Sequence, residues 1–141
     1  MLRRRLTLLP FVPSVLGWLV LVEVAVRRMP LPELSSRLGV PLDASERGAK
    51  PTPPQAIALT RWQAGQLRAL GPLAARWPFA DGPCLRQSLV AGHIVRRHHP
   101  VLRLGVVNSA TGVLAHAWVE VAGTHIGEQG PYAPLVNDGS A

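Results

Sequence analysis

At 141 residues and 48% hydrophobic composition, the chain is long enough for one domain with a modest core and too apolar for a disordered protein. Fifteen Lys+Arg against eight Asp+Glu leave a net charge of +7, which points to acidic partners: a peptide, a nucleic acid or a membrane surface. The single cysteine excludes an internal disulfide and a multi-cysteine metal site, and suits a reducing compartment such as the cytoplasm.

Met1–Arg5 is basic, and Leu6–Val22 is an uncharged apolar run closed by Glu23 and the Arg27–Arg28 pair. A membrane-spanning helix needs about 20 apolar residues; this run is shorter and carries Pro10 and Pro13. A signal peptide needs small residues at a cleavage site after the apolar stretch, and the run is followed by no convincing one. Val15, Leu16, Leu19, Val22 and Val26 recur at helical spacing, so the favoured reading is a core helix starting near Pro13 or Ser14. Peripheral membrane association through this segment is the alternative.

Leu31–Leu38 reads as a short helix, with Pro32 near its start and Gly39 just past its end. Val40–Pro54 is rich in Pro, Gly and small residues and holds Lys50, the one lysine. It is expected to be a flexible junction, separating an N-terminal helical segment (1–50) from a core (51–141) within one compact domain. Thr52-Pro53-Pro54-Gln55 has the form of a capping box. It predicts a helix to about Leu70, interrupted at Gly71–Pro72 and resuming to Trp77, with Ile57, Trp62, Leu67 and Leu70 on its apolar face. Arg61, Arg68 and Arg76 fall off that face, as a solvated side rather than an anion groove.

Asp81, Gly82 and Pro83 suit a helix start, and the helix runs from Cys84 to about His98, closed by Pro100. A lone cysteine is usually a small buried hydrophobe. Cys84 differs by position, because a first-turn thiol feels the positive end of the helix, which favours the thiolate. Ser88, one turn on, is expected to make a local helix contact, and Gly92 to allow close approach of helix and sheet. His93, His98 and His99, beside Arg96 and Arg97, form a solvated basic end. Cys84, His98 and His99 match no usual zinc spacing.

Val101–Val107 reads as a buried strand and Asn108–Gly112 as a hairpin loop. In Val113–Val121 the residues alternate: Val113, Ala115, Ala117, Val119 and Val121 face the helices, while Leu114, His116, Trp118 and Glu120 face the other way. Ala122–Gly123 marks a tight turn into a third strand, Thr124–Glu128, and an irregular tail follows from Pro131. The fold class is α+β, helices first and then an antiparallel sheet of at least three strands. A cysteine at a helix start and a histidine on a strand make a Cys–His arrangement for nucleophilic catalysis, if the fold brings them together. Nucleic-acid binding is permitted by charge, but no helix-turn-helix, aromatic ladder or zinc knuckle supports it. A basic, membrane-associated accessory protein is the other non-enzyme reading.

The segments CLRQSLVAGHIVRRHHPVLRLGVV and HAWVEVAGTHIGE resemble the transglutaminase-like cysteine peptidases of lasso-peptide biosynthesis, and more narrowly the stand-alone protease half of the split leader peptidase. The resemblance rests on a Cys-Leu-x-x-Ser-Leu helix, an apolar strand ending near a glycine and a His-Ala-Trp-x-Glu strand, about a third of the chain. It implies a papain-like core in which Cys84 attacks a peptide carbonyl and His116 serves as base and then acid. The family's orienting acid, usually aspartate, follows the histidine on the next strand, and Glu128 holds the matching place, one methylene longer. Glu120 competes, but lies four residues from His116, more than about 12 Å along an extended strand. Trp118 either lines the substrate cleft or packs over the sheet, and His125 is the reserve base. The resemblance further implies a ribosomally made precursor cut at its leader, a separate small leader-recognition protein and a lasso cyclase. No cofactor or metal is implied. The alternative within the same fold is an amidase or acyl transferase.

Overall fold

The computed structural model describes residues 9–43, 56–79 and 84–126, with the backbone alone at 106–109 and 113–115. Helices α1 (Val12–Arg28), α2 (Leu31–Arg37), α3 (Arg61–Ala75) and α4 (Cys84–Ile94) precede strands β1 (Val101–Ser109), β2 (Gly112–Val121) and β3 (Thr124–Ile126). The strands form an antiparallel sheet in the order β1-β2-β3, which is the α+β arrangement expected. Positive φ at Ala122 (47°) and Gly123 (76°) gives the two-residue turn whose twist matches paired strands. The first hairpin is tighter than expected: β1 runs to Ser109 and β2 begins at Gly112, leaving only Ala110 and Thr111 between them.

One apolar cluster joins both halves of the chain. Val15, Leu19 and Val22 of α1 have no exposed surface, and they share a core with Leu70 of α3, Leu89 and Val90 of α4 and Leu102 and Val119 of the sheet. The core-helix reading of the N-terminal segment therefore describes this face, with Leu16 corrected to the outside at 37% exposure. The other face is unusual: Leu16, Val20, Leu21 and Val24 are exposed, and the same side ends in Arg27 and Arg28. By length and composition Leu9–Arg28 could cross a membrane; here its inward face is packed in protein.

That inward face also carries a charge. Glu23 is 7% exposed and its carboxylate receives four side chains' worth of donors from three residues. Arg86 Nε donates to Oε2 and Arg86 Nη2 to Oε1 at 3.3 Å. Arg27 Nε reaches Oε1 at 2.9 Å and the Trp77 indole N–H reaches Oε2 at 3.0 Å. The Arg86 hydrogen bond, opposed by burial and assisted by Trp77 and Arg27, holds this carboxyl down from 4.5 to about 2. The cluster ties α1 to the first turn of α4.

The short helix α2 ends as expected. Gly39 has φ 76°, its N–H bonds Ser36 O, and the Val40 N–H bonds Ser35 O at 2.9 Å, the paired bonds of a Schellman stop. The junction that follows is not loose at its start. Leu42 bridges Leu102 in parallel, Leu102 N–H donates to Pro41 O, and Asp43 N–H donates to Leu102 O at 3.0 Å, so residues 41–43 line the outer edge of β1.

Helix α3 departs from the expectation at both ends. Residues 56–60 are not helical, and Thr52–Gln55 lies outside the described residues. The capping box is made instead by Thr60 and Gln63: Gln63 N–H donates to Thr60 Oγ1 at 3.1 Å and Thr60 N–H to Gln63 Oε1 at 3.0 Å. Gly71–Pro72 does not interrupt the helix; Pro72 faces solvent, where water can satisfy the carbonyl it leaves unpaired. The buried face is Gln66, Ala69, Leu70 and Ala74, while Trp62 is 53% exposed. Arg61, Arg68 and Arg76 are exposed as expected.

Helix α4 gives way at Ile94 to a 3-10 turn, Arg96–His98. Its Gly92 admits Val40 rather than the sheet, since a Cβ there would sit 2.5 Å from Val40 Cγ1. His93 is not solvated either. Its ring lies 3.9 Å from Trp18, centroid to centroid, and Nδ1 is 3.0 Å from Leu38 O; burial pushes its pKa down.

Because the Glu23 pKa is depressed, its contribution is fully present above pH 4.5 and lost as pH falls toward 2. The shift corresponds to roughly 3 kcal/mol. Glu23→Gln should therefore flatten the pH dependence of unfolding free energy between pH 5 and pH 2. It should also destabilise the protein at neutral pH by about 1–3 kcal/mol, because the part-buried Arg86 loses its counter-charge. Urea denaturation across a pH series measures both.

Candidate active site

Cys84 is the first residue of α4, so its side chain stands at the N-terminal end of the helix. The expected N-cap residues, Asp81 to Pro83, lie outside the described residues. His116 sits in the middle of β2, directly opposite Gly105 of β1. What joins the two elements is Ser88, one turn along α4. Its hydroxyl donates to Ala117 O at 2.9 Å, a buried bond next to His116. The expected local helix contact for Ser88 is therefore replaced by a helix-to-strand tie.

A cleft of about 40 Å³ opens beside this tie. Cys84, Gln87, Ser88, His116, Trp118 and His125 are among the residues lining it. The sequence-predicted thiol and imidazole thus share one cavity, with Trp118 as a wall. The His116 and Trp118 rings are nearly parallel, 17° between planes with centroids 5.8 Å apart. His125 meets the Trp118 edge at 6.4 Å and 88°. It lies across from Glu120 in the β2–β3 register.

Burial pushes the His116 pKa below its usual 6.5, and the nearby His125 pushes it further. Burial lowers His125 as well, against an opposing pull from Glu120. Both imidazoles are therefore mainly neutral at pH 7, and a neutral imidazole is the form that accepts a proton.

Glu120 is engaged elsewhere. Its Oε1 accepts the Trp118 indole N–H at 2.9 Å and its Oε2 accepts Arg103 Nε at 3.2 Å. Oε1 is thus committed to Trp118 and Oε2 to Arg103. Glu128 lies outside the described residues. His98 and His99 follow the far end of α4, and among the described residues no three His, Cys, Asp or Glu side chains cluster to hold a metal.

The sequence reading missed the work of Ser88 and the presence of Gln87 in the cleft. The signal for both was the helical period: residues three and four beyond Cys84 share its face. His125 was legible as a reserve base, and the two-residue turn at Ala122–Gly123 sets its register against β2.

A helix-borne cysteine and a strand-borne histidine line one cleft of an α+β domain, an arrangement that suits thiol-nucleophile chemistry. By comparison with protein families, the chain belongs to the transglutaminase-like superfamily, whose model matches residues 18–137. That superfamily consists in general of cysteine peptidases and acyl transferases. Neither a curated protein nor a solved structure shows significant similarity to the chain.

Ser88→Ala should cost about 1–2 kcal/mol, the price of leaving a buried carbonyl without its donor. A thermal or urea melt compared with an exposed control such as Arg68→Ala checks this; equal stability of the two variants would remove Ser88 as the tie between α4 and β2.

Proposed function

We propose that the protein is a cysteine peptidase that removes the leader from a ribosomally made lasso-peptide precursor. The observation that carries this reading is the shared cleft of Cys84 and His116 within a chain of the transglutaminase-like superfamily. The finer assignment draws on the resemblance of the Cys84 helix and the His116 strand to the stand-alone protease of the split leader peptidase.

In this mechanism neutral His116 takes the Cys84 proton as sulfur attacks the scissile carbonyl. The resulting imidazolium returns the proton to the leaving amine, which frees the amino group of the core peptide. Water, deprotonated by the same imidazole, then releases the leader carboxylate from the thioester. Glu128 is the proposed acid that orients His116 and stabilises its charged form. The freed amino group is the nucleophile a separate lasso cyclase needs for ring closure. A small leader-recognition protein is the proposed partner that delivers the precursor, and tethering by it raises the substrate's effective concentration near Cys84. The exposed apolar face of α1, ending in Arg27 and Arg28, supplies a surface for such a partner or for peripheral contact with a membrane. With an amine in place of water the same thioester would give acyl transfer, the alternative chemistry of the superfamily.

The test is cleavage of a precursor peptide by the purified chain, with and without the recognition protein. Cys84→Ala and His116→Ala should each abolish cleavage without unfolding the protein, and the double variant should be no worse than either, because the two act as one unit. The acid limb of kcat/KM should lie below pH 6.5, since the His116 pKa is lowered and the base is lost only when it protonates. Full activity of Cys84→Ala would end the peptidase reading.

Glu128→Gln should reduce kcat more than Glu120→Gln does. The first removes the charge proposed to support the imidazolium, whereas the second leaves an oxygen to accept the Trp118 N–H. Turnover measured for the two variants side by side gives the ranking, and the reverse order would transfer the orienting role to Glu120.

A further inference from the structure

Trp118 is held from several directions at once. Its indole N–H donates to Glu120 Oε1 at 2.9 Å. Beneath the ring, a Cβ on Gly105 would fall 2.8 Å from Trp118 Cζ3, so the indole lies directly against the β1 backbone at the residue opposite His116. Its face runs beside His116 and its edge meets His125. Glu120 is fixed in turn. Arg103 Nε holds Oε2, Arg103 Nη1 donates to Asp43 Oδ2 at 2.8 Å, and the Asp43 backbone N–H is bonded to Leu102 O. A continuous polar chain therefore runs from the edge of β1 through Asp43, Arg103 and Glu120 to the wall of the cleft.

The chemistry of that chain is one-directional. The indole has a single N–H and no acceptor, so one carboxylate oxygen is enough to select one ring orientation. A partly exposed indole without that bond would keep its contact area but lose the term that separates one rotamer from another. We infer that Glu120 is a positioning residue: by accepting the Trp118 N–H it locks the indole over Gly105 as a rigid wall that fixes the His116 imidazole in the cleft. The effect on catalysis rests on the peptidase reading above, whereas the orientation of Trp118 is measured independently of it.

Fluorotryptophan-labelled protein, with the Trp118 resonance assigned from Trp118→Phe, reports the ring directly by fluorine NMR. Wild type should give one narrow Trp118 line. Glu120→Ala should shift and broaden it, and Glu120→Gln, whose single acceptor oxygen is contested between the indole and Arg103, should restore it in part. On the precursor, Glu120→Ala should lower kcat about tenfold or more with KM little changed, as expected for a displaced catalytic group, and Glu120→Gln should recover part of that loss. Trp118→Phe removes the N–H without touching the Glu120–Arg103 pair, so it provides the same kcat test should Glu120→Ala fail to fold. The double variant Trp118→Phe/Glu120→Ala should be no slower than the slower single variant. An unchanged Trp118 line in folded Glu120→Ala, or a lower melting temperature with line and kcat both unchanged, would overturn the assignment. If the wild-type chain cleaves no precursor, the peptidase reading fails while the fluorine spectra still decide the role of Glu120.

Discussion

The buried carboxylate of Glu23 governs how the helices can be assembled. Placed on the inward face of α1, it would carry a prohibitive desolvation cost unless its charge were answered within the protein. The answer comes from Arg86, in the first turn of α4, and from the Trp77 indole, with Arg27 of its own helix completing the shell. An ion pair of this kind adds little net stability over a well-packed apolar contact, but it severely penalises any packing that separates the partners. The helix that begins with Cys84 is thereby held in one register against α1. A sliding helix would carry Arg86 away from Glu23 as it disturbed the apolar contacts of Leu89 and Val90.

A second constraint acts two residues further along the same helix. Ser88 binds the Ala117 carbonyl, which fixes α4 against β2 at the residue adjoining His116. Glu23 and Ser88 between them set the position of the Cys84 helix from opposite sides, one through charge and one through a neutral hydrogen bond. The cleft is then a consequence of two contacts that do not themselves need to touch a substrate. Its electrostatics follow the same economy. The one acidic side chain described near the imidazoles, Glu120, is turned to Trp118 and Arg103, so burial is left to keep His116 and His125 neutral.

Local signals in the sequence were sufficient for the elements and their order. Alternation put His116 and Trp118 on one face of a strand, Gly39 stopped a helix, and Ala122–Gly123 turned one strand into the next. Where two segments carried the same signal, local reasoning could not choose. Thr52-Pro53-Pro54-Gln55 and Thr60-Arg61-Trp62-Gln63 both satisfy the capping-box pattern, and the second starts α3. Gln63 there also donates to Ile94 O at 3.1 Å, a bond 31 residues away that no capping rule contains. The same limit explains Ser88 and His93, whose partners Ala117, Trp18 and Leu38 are distant in sequence. Glu128, the acid suggested by family resemblance, lies outside the described residues, so its role rests on that resemblance.

The N-terminal segment shows why a hydropathy pattern alone left a core helix and a membrane helix both open. Its exposed side, from Leu16 to Val24, is as apolar as its buried side, so the helix has no polar face to mark where solvent lies. The distinguishing residue is Glu23, and its partners stand 54 and 63 residues further along the chain. In isolation that glutamate reads as the charge that ends an apolar run. In the folded protein it is the polar contact by which the run is anchored to the Cys84 helix. Lipid around the whole circumference of α1 would require breaking the Arg86 pair and uncovering Val15, Leu19 and Val22, so any apolar partner of this helix has to meet it along the outward stripe that ends at Arg27 and Arg28.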